Sequence, residues 1–184
     1  MQNIVLLILR KNTGNGVITT YRTGWDMPAF DYRQALELRD ALGKHSVRYL
    51  FIGKSGAVIL GFPDTTQDVD IFVEKSLKNC KALVMGLMEL RFQLSESQKN
   101  DILKGKDFIQ LKKGPFDLDL IFAPDGIETF EDAWHRHINV EGFPVCHIDD
   151  IIASKAAAKR KRDLESLPRL KAFREYWITH RNKS

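Results

Sequence analysis

An α/β or α+β domain around a mixed sheet, followed by a basic helical segment, is the architecture this 184-residue sequence predicts. Three observations predict it. Short runs of strand-type residues alternate with stretches of helical periodicity. Two of the strands carry paired acids between apolar neighbours, Asp68-Val69-Asp70 and Asp117-Leu118-Asp119. From Lys155 onward, ten basic residues stand against only Asp163, Glu165 and Glu175. The formal net charge is +4, so the rest of the chain is slightly acidic and the excess positive charge belongs to this last segment. Such a segment suits a phosphate-bearing partner, nucleotide or RNA.

The elements follow in order. Ile4–Leu9 and Val17–Arg22, joined through Asn12 to Gly16, read as a β-hairpin within an N-terminal extension, residues 1–31. Residues 32–44 place Ala35, Leu36, Leu38 and Leu42 at helical spacing. Val47–Ile52 is a buried strand ending at Gly53, and a helical turn over Ala57–Leu60 stops at Gly61-Phe62-Pro63. The Asp68–Val73 strand comes next. Lys78–Arg91 is helical, with Met85, Leu87, Met88 and Leu90 as its core face, and the polar stretch Ser95–Lys106 reads as a mobile loop. Phe108–Leu111 and Phe116–Phe122 are strands joined by the turn Lys112-Lys113-Gly114-Pro115. Thr129 caps a short helix that runs to His135. Phe143–Cys146 is a small strand. Asp149 or Asp150 caps a helix to about Arg160, and Leu170–Thr179 is the final helix. The core domain is therefore 32–147, and 148–184 is a basic helical segment packed on it.

Composition narrows the classes. With 43% hydrophobic and 28% charged residues the chain reads as an ordinary globular domain. Its first apolar run, Ile4–Leu9, is far too short to span a bilayer, and no basic residue precedes it. No membrane partner is expected, and the cytoplasm is the expected compartment. Cys80 and Cys146 lack any CxxC spacing. His135 and His137 have no third ligand near them in sequence and read as surface histidines; Trp134 and Trp177 read as packing residues.

The acid pairs carry the chemistry. In a strand, residues i and i+2 share a face, so Asp68 and Asp70 point one way and so do Asp117 and Asp119. Two carboxylates roughly 7 Å apart repel by roughly 2–3 kcal/mol at an effective dielectric near 20. A sheet that accepts this twice is suited to cations, and two-metal phosphoryl transfer is the commonest use of such a site.

The order of these features resembles the nucleotidyltransferase superfamily that includes DNA polymerase beta. Gly53-Lys54-Ser55 stands for its glycine turn, Asp68 and Asp70 for its Asp-x-Asp, and Asp119, rather than Asp117, for its third carboxylate. The stretches Tyr49–Gly53 and Gly61–Asp68, and Ile151-Ile152-Ala153-Ser154-Lys155 with Arg162-Asp163 beyond, are similar to the minimal and abortive-infection (AbiEii-like) nucleotidyltransferases. The resemblance covers roughly residues 34–172. It implies a nucleotidyltransferase-like mixed sheet flanked by helices and two Mg²⁺ ions on Asp68, Asp70 and Asp119. It also implies an NTP substrate held by Gly53, Lys54, Ser55, Thr66, Lys155, Arg162 and Asp163. The implied acceptor is tRNA or another RNA, a protein, or a small molecule, and a toxin role with an antitoxin partner belongs to the same expectation. Two positions depart from the pattern: Lys54 replaces the second glycine, and Asp64 stands where relatives often carry a basic residue. The alternative reading is a lapsed nucleotidyltransferase-fold binding module for nucleotide, RNA or protein; a kinase-like phosphotransferase is a third.

Overall fold

The two acid-bearing strands lie side by side in the interior of one sheet. The computed structural model describes residues 32–181, so the expected hairpin within 1–31 lies outside the described residues. Among the described residues the strands are β1 (Tyr49–Phe51), β2 (Asp68–Val73), β3 (Phe108–Leu111), β4 (Asp117–Ile121), β5 (Ile138–Val140) and β6 (Phe143–Val145). Their order across the mixed sheet is β3-β4-β2-β1-β6-β5. β2 pairs parallel with β4 and antiparallel with β1; β3 pairs antiparallel with β4, as the hairpin turn requires. Along β2 the acids alternate with Val69 and Ile71, which are fully buried. In its first half one side of the strand is therefore core and the acid-bearing side is only partly covered, while Phe72 and Val73 beyond are buried on both sides.

Helices α1 (Tyr32–Lys44) and α3 (Leu77–Glu89) pack on each other, and Gly86 makes their approach close: a Cβ there would come within 2.8 Å of Leu42 Cδ2. Helix α3 buries Cys80, Leu83, Gly86 and Leu87, a 3–4 residue spacing. Met85 and Met88 fall off that stripe and are more than half exposed, which corrects their expected place in the core. Ser76 caps this helix, and the buried Asn79 amide links its first turn to the Arg48 and Glu74 carbonyls.

Residues 95–106 differ from the expected loop. Ser95 and Gln98 form a reciprocal capping box that starts α4 (Glu96–Leu103), and fully buried Ile102 anchors it. One buried residue in eight leaves no periodicity to read, which is why the helix was hidden. Strand β5 was hidden for a similar reason, since none of its three residues is buried. Helix α5 (Phe130–Arg136) begins at its Thr129 cap as expected. Trp134 packs against the core, stacked between Phe130 and His137, so His137 serves packing.

Helix α6 (Ile148–Ala158) is capped by His147, and neither Asp149 nor Asp150 plays that part. Asp150 is buried and takes a two-pronged bond from Arg136 at 2.8 and 3.3 Å, tying α5 to α6. Helix α7 (Lys161–Arg181) begins nine residues before the expected Leu170 and continues through Pro168, with Leu167 and Leu170 buried on either side of that proline. Ile148, Ile151 and Leu170 belong to the same apolar core as the sheet. No helix among the described residues is long and apolar enough to cross a membrane.

Because Leu118 on β4 is wholly buried while Met85 is 59% exposed, truncation should separate them sharply. Leu118→Ala is expected to cost about 2–5 kcal/mol in urea unfolding, and Met85→Ala less than about 0.5 kcal/mol.

Candidate active site

Parallel pairing of β2 with β4 sets Asp68 opposite Asp117 and Asp70 opposite Asp119. Residues in register across a sheet share a face, so the acids of both strands emerge on one side. Asp68, Asp70 and Asp119 line a cleft of about 840 Å³; Asp117 is not part of its lining. The strand pairing sets all four carboxylates side by side, and the cleft takes in the three that the sequence singled out.

The glycine turn shapes the floor of this cleft. Helix α2 (Gly53–Ile59) starts directly at Gly53, one turn earlier than expected. Gly53 has φ +63, and a Cβ there would lie 2.5 Å from Asp70 Oδ2. Only glycine accepts both the left-handed backbone and that contact without strain. Ser55 sits beneath the cleft, fully buried, and does not line it. Its hydroxyl donates to the Ile52 carbonyl at 3.1 Å and accepts from the Asp70 backbone N–H at 2.9 Å. Ser55 therefore fastens α2 to β2, and its hydroxyl faces the strand instead of the cleft. Thr66 lines the cleft and donates to the Asp68 carbonyl at 3.1 Å, which braces the entry to β2.

The electrostatics of Asp70 follow from this placement. Burial, then the neighbouring charge of Asp119, pushes its carboxyl up to about 7. Lys155 pulls it down, Asp68 adds to the rise, and a hydrogen bond from the Ser55 backbone N–H opposes it. An added cation would reverse the penalty, since opposite charge favours the ionised form.

Basic side chains line the same cleft. Lys54, Lys155 and Arg160 line the cleft together with Asp163 and Ser166 from α7. Lys155 Nζ binds Asp163 Oδ1 at 2.9 Å, with both side chains nearly buried, so this pair joins α6 to α7 at the edge of the site. Arg162 lies in α7, but its side chain is outside the described residues. The two departures from the family pattern meet each other: Lys54 Nζ lies 4.0 Å from Asp64 Oδ2, and Arg169 of α7 reaches the same oxygen at 3.2 Å. Arg160 and Phe108 are cleft residues that sequence reasoning missed. Phe108 could have been found from strand alternation, being the exposed aromatic in a strand whose next residue, Ile109, is buried.

The donor set fits a divalent cation in kind: three carboxylates on one face, one of them disfavoured as an anion until positive charge arrives. Among the described residues no group of three or more His, Cys, Asp or Glu side chains is placed to hold a metal ion by itself. Mg²⁺ does not need one, because it keeps waters and shares phosphate oxygens of a substrate.

No protein-family model and no curated protein matches the chain. Among solved structures, the chain is similar to the lincosamide antibiotic adenylyltransferase LnuA in its lincomycin-bound crystal structure. The TM-score is 0.56 at 14% identity, covering 78% of this chain and 98% of that one. The chain has a nucleotidyltransferase-like fold. Within that fold the Asp68, Asp70 and Asp119 strands occupy the interior of the sheet, and the helices α2, α6 and α7 contribute residues to the cleft beside them.

The raised carboxyl of Asp70 has a stability consequence with a definite sign. The folded state holds the proton between the ordinary value of 3.8 and about 7, so stability falls as pH rises through that window. Asp70→Asn removes the burdened charge. In thermal melts it should be more stable than the parent chain at pH 8, by on the order of 2–4 kcal/mol, with the difference closing toward pH 4. Equal stabilities at pH 8 would mean Asp70 carries its charge there without penalty.

Proposed function

We propose that the cleft is the active site of a Mg²⁺-dependent nucleotidyltransferase that moves a nucleoside monophosphate from an NTP to a hydroxyl of a small molecule. The observation that carries the reading is the in-register pair Asp70 and Asp119, which lines one cleft together with Asp68, Lys54, Lys155 and Arg160. A site that holds carboxylates and cationic side chains together suits a cation–triphosphate complex. The adenylyl activity and bound antibiotic named for LnuA support ATP as the first nucleotide to test and a small molecule as the acceptor.

In this reading the acceptor hydroxyl oxygen attacks the α-phosphorus. The new P–O bond forms as the bond to pyrophosphate breaks, and Asp119 takes the hydroxyl proton. Lys54, Lys155 and Arg160 hold the negative charge of the triphosphate and then of the departing pyrophosphate. Asp68, Asp70 and Asp119 would hold Mg²⁺, which supplies neutralisation of phosphate charge and a more acidic acceptor hydroxyl. Gly53 leaves room for the Asp70 carboxylate, and Asp163 fixes the Lys155 ammonium at the rim.

A second reading, a binding module without turnover, draws on the pairing of Lys54 with Asp64, which ties up a cation of the glycine turn. One experiment separates the two. The chain is incubated with Mg²⁺, a cell extract and each of the four NTPs, labelled either at the α- or at the γ-phosphate. Transfer of the α-label to a small-molecule fraction, reduced by at least about 100-fold in Asp70→Ala, is the expected result. Label in RNA or protein would reassign the acceptor, and transfer of the γ-label would make the chain a phosphotransferase. Binding of NTP without transfer of either label would leave the binding module.

A further inference from the structure

Next to Asp119, on the edge strand β3, stands a residue that the reaction as described does not use. Gln110 pairs in register with Asp119 across the antiparallel β3·β4 ladder, and its Nε2 donates to Asp119 Oδ1 at 3.1 Å. Asp119 is only 7% exposed, whereas Gln110 is exposed. The contact therefore joins a solvent-side amide to a carboxylate at the floor of the cleft. We propose that Gln110 is a positioning residue for the cation site, orienting the Asp119 carboxylate while leaving its negative charge intact. The inference rests on the nucleotidyltransferase reading above.

The choice of side chain is what points to this role. Lysines are at hand on the same hairpin, Lys112 and Lys113, yet the residue opposite Asp119 is a neutral amide. An ammonium there would also donate a hydrogen bond, but it would cancel the charge that a cation needs and compete with that cation for the carboxylate. A neutral donor fixes the rotamer and spends none of the charge. Outer-sphere hydrogen bonds of this kind orient metal-binding side chains, and their loss lowers metal affinity by roughly 10–100-fold. An ordinary structural bond makes a different demand. If Gln110 served only to hold β3 to β4, lysine would be a good replacement, because its ion pair with Asp119 would hold the strands at least as well.

The two roles thus rank the variants in opposite orders. Gln110→Ala and Gln110→Lys are compared with the parent chain by calorimetric titration of Mg²⁺ in the presence of a non-hydrolysable ATP analogue, and by thermal melting without metal. The expected result is a Mg²⁺ affinity reduced about 10-fold in Gln110→Ala and further in Gln110→Lys, while the metal-free melting temperature of Gln110→Lys equals or exceeds that of Gln110→Ala. Unchanged Mg²⁺ affinity in both variants, beside clear binding by the parent chain, overturns the role of Gln110 alone. Loss in Gln110→Ala with full affinity retained in Gln110→Lys also overturns it, since the bond would then be structural. If the parent chain binds neither Mg²⁺ nor the analogue, the nucleotidyltransferase reading itself fails, and this inference falls with it.

Discussion

Parallel pairing of β2 with β4 is the constraint from which the rest of the site follows. One register places Asp70 beside Asp119 and Asp68 beside Asp117, concentrating negative charge on one face of an otherwise apolar pair of strands. A slip of one residue would set Leu118 or Leu120 where Asp119 stands and turn the acids into the core. Val69, Ile71, Leu118 and Leu120 prevent it, because all four are fully buried on or around these strands. The hydrophobic effect thereby holds together carboxylates that electrostatics would drive apart. Asp70 bears the cost, with its carboxyl raised to about 7 chiefly by burial and then by Asp119.

Everything around the pair manages that concentration of charge. Gly53 gives the Asp70 carboxylate space that any side chain would occupy, and Ser55 secures the Asp70 backbone from below. Lys155 offsets part of the charge and is itself held by nearly buried Asp163. Asp64 gathers Lys54 and Arg169, so α7 is bound to the rim of the same cleft by charge as well as by Phe173 packed on Phe62. The basic segment that dominates the net charge is in this way part of the site's wall.

Much of this was legible in the residues. Helix α1 and strand β2 have the bounds that their periodicity predicts, and the β3–β4 hairpin and the Thr129 cap are where the turn and capping residues put them. Legibility failed where the signal was weak or misleading. Helix α4 buries a single residue, and α7 passes through Pro168, which normally marks a boundary. Met85 and Met88 are apolar like Leu87 but fall off the buried stripe, which periodicity alone did not resolve. Arg160 escaped notice because it belongs to no local pattern of site residues, whereas the alternation that exposes Phe108 on β3 was there to be read.

The sequence by itself determined the fold class, the alternation that puts each acid pair on one strand face, and the candidate carboxylates Asp68, Asp70 and Asp119. The alternation is a local property, set by a period of two and by residue type, whereas the preference for Asp119 over Asp117 came from the resemblance to the nucleotidyltransferases. Only the tertiary structure decided that the two strands are parallel neighbours in the register Asp70 to Asp119, and that Asp119 and not Asp117 lines the cleft. It alone turned the Ser55 hydroxyl toward β2, paired Lys54 with Asp64, and brought Gln110 to Asp119. Each of these joins residues distant in the chain or chooses between residues equal in spacing. Strand order and burial make such choices, and a linear pattern holds neither.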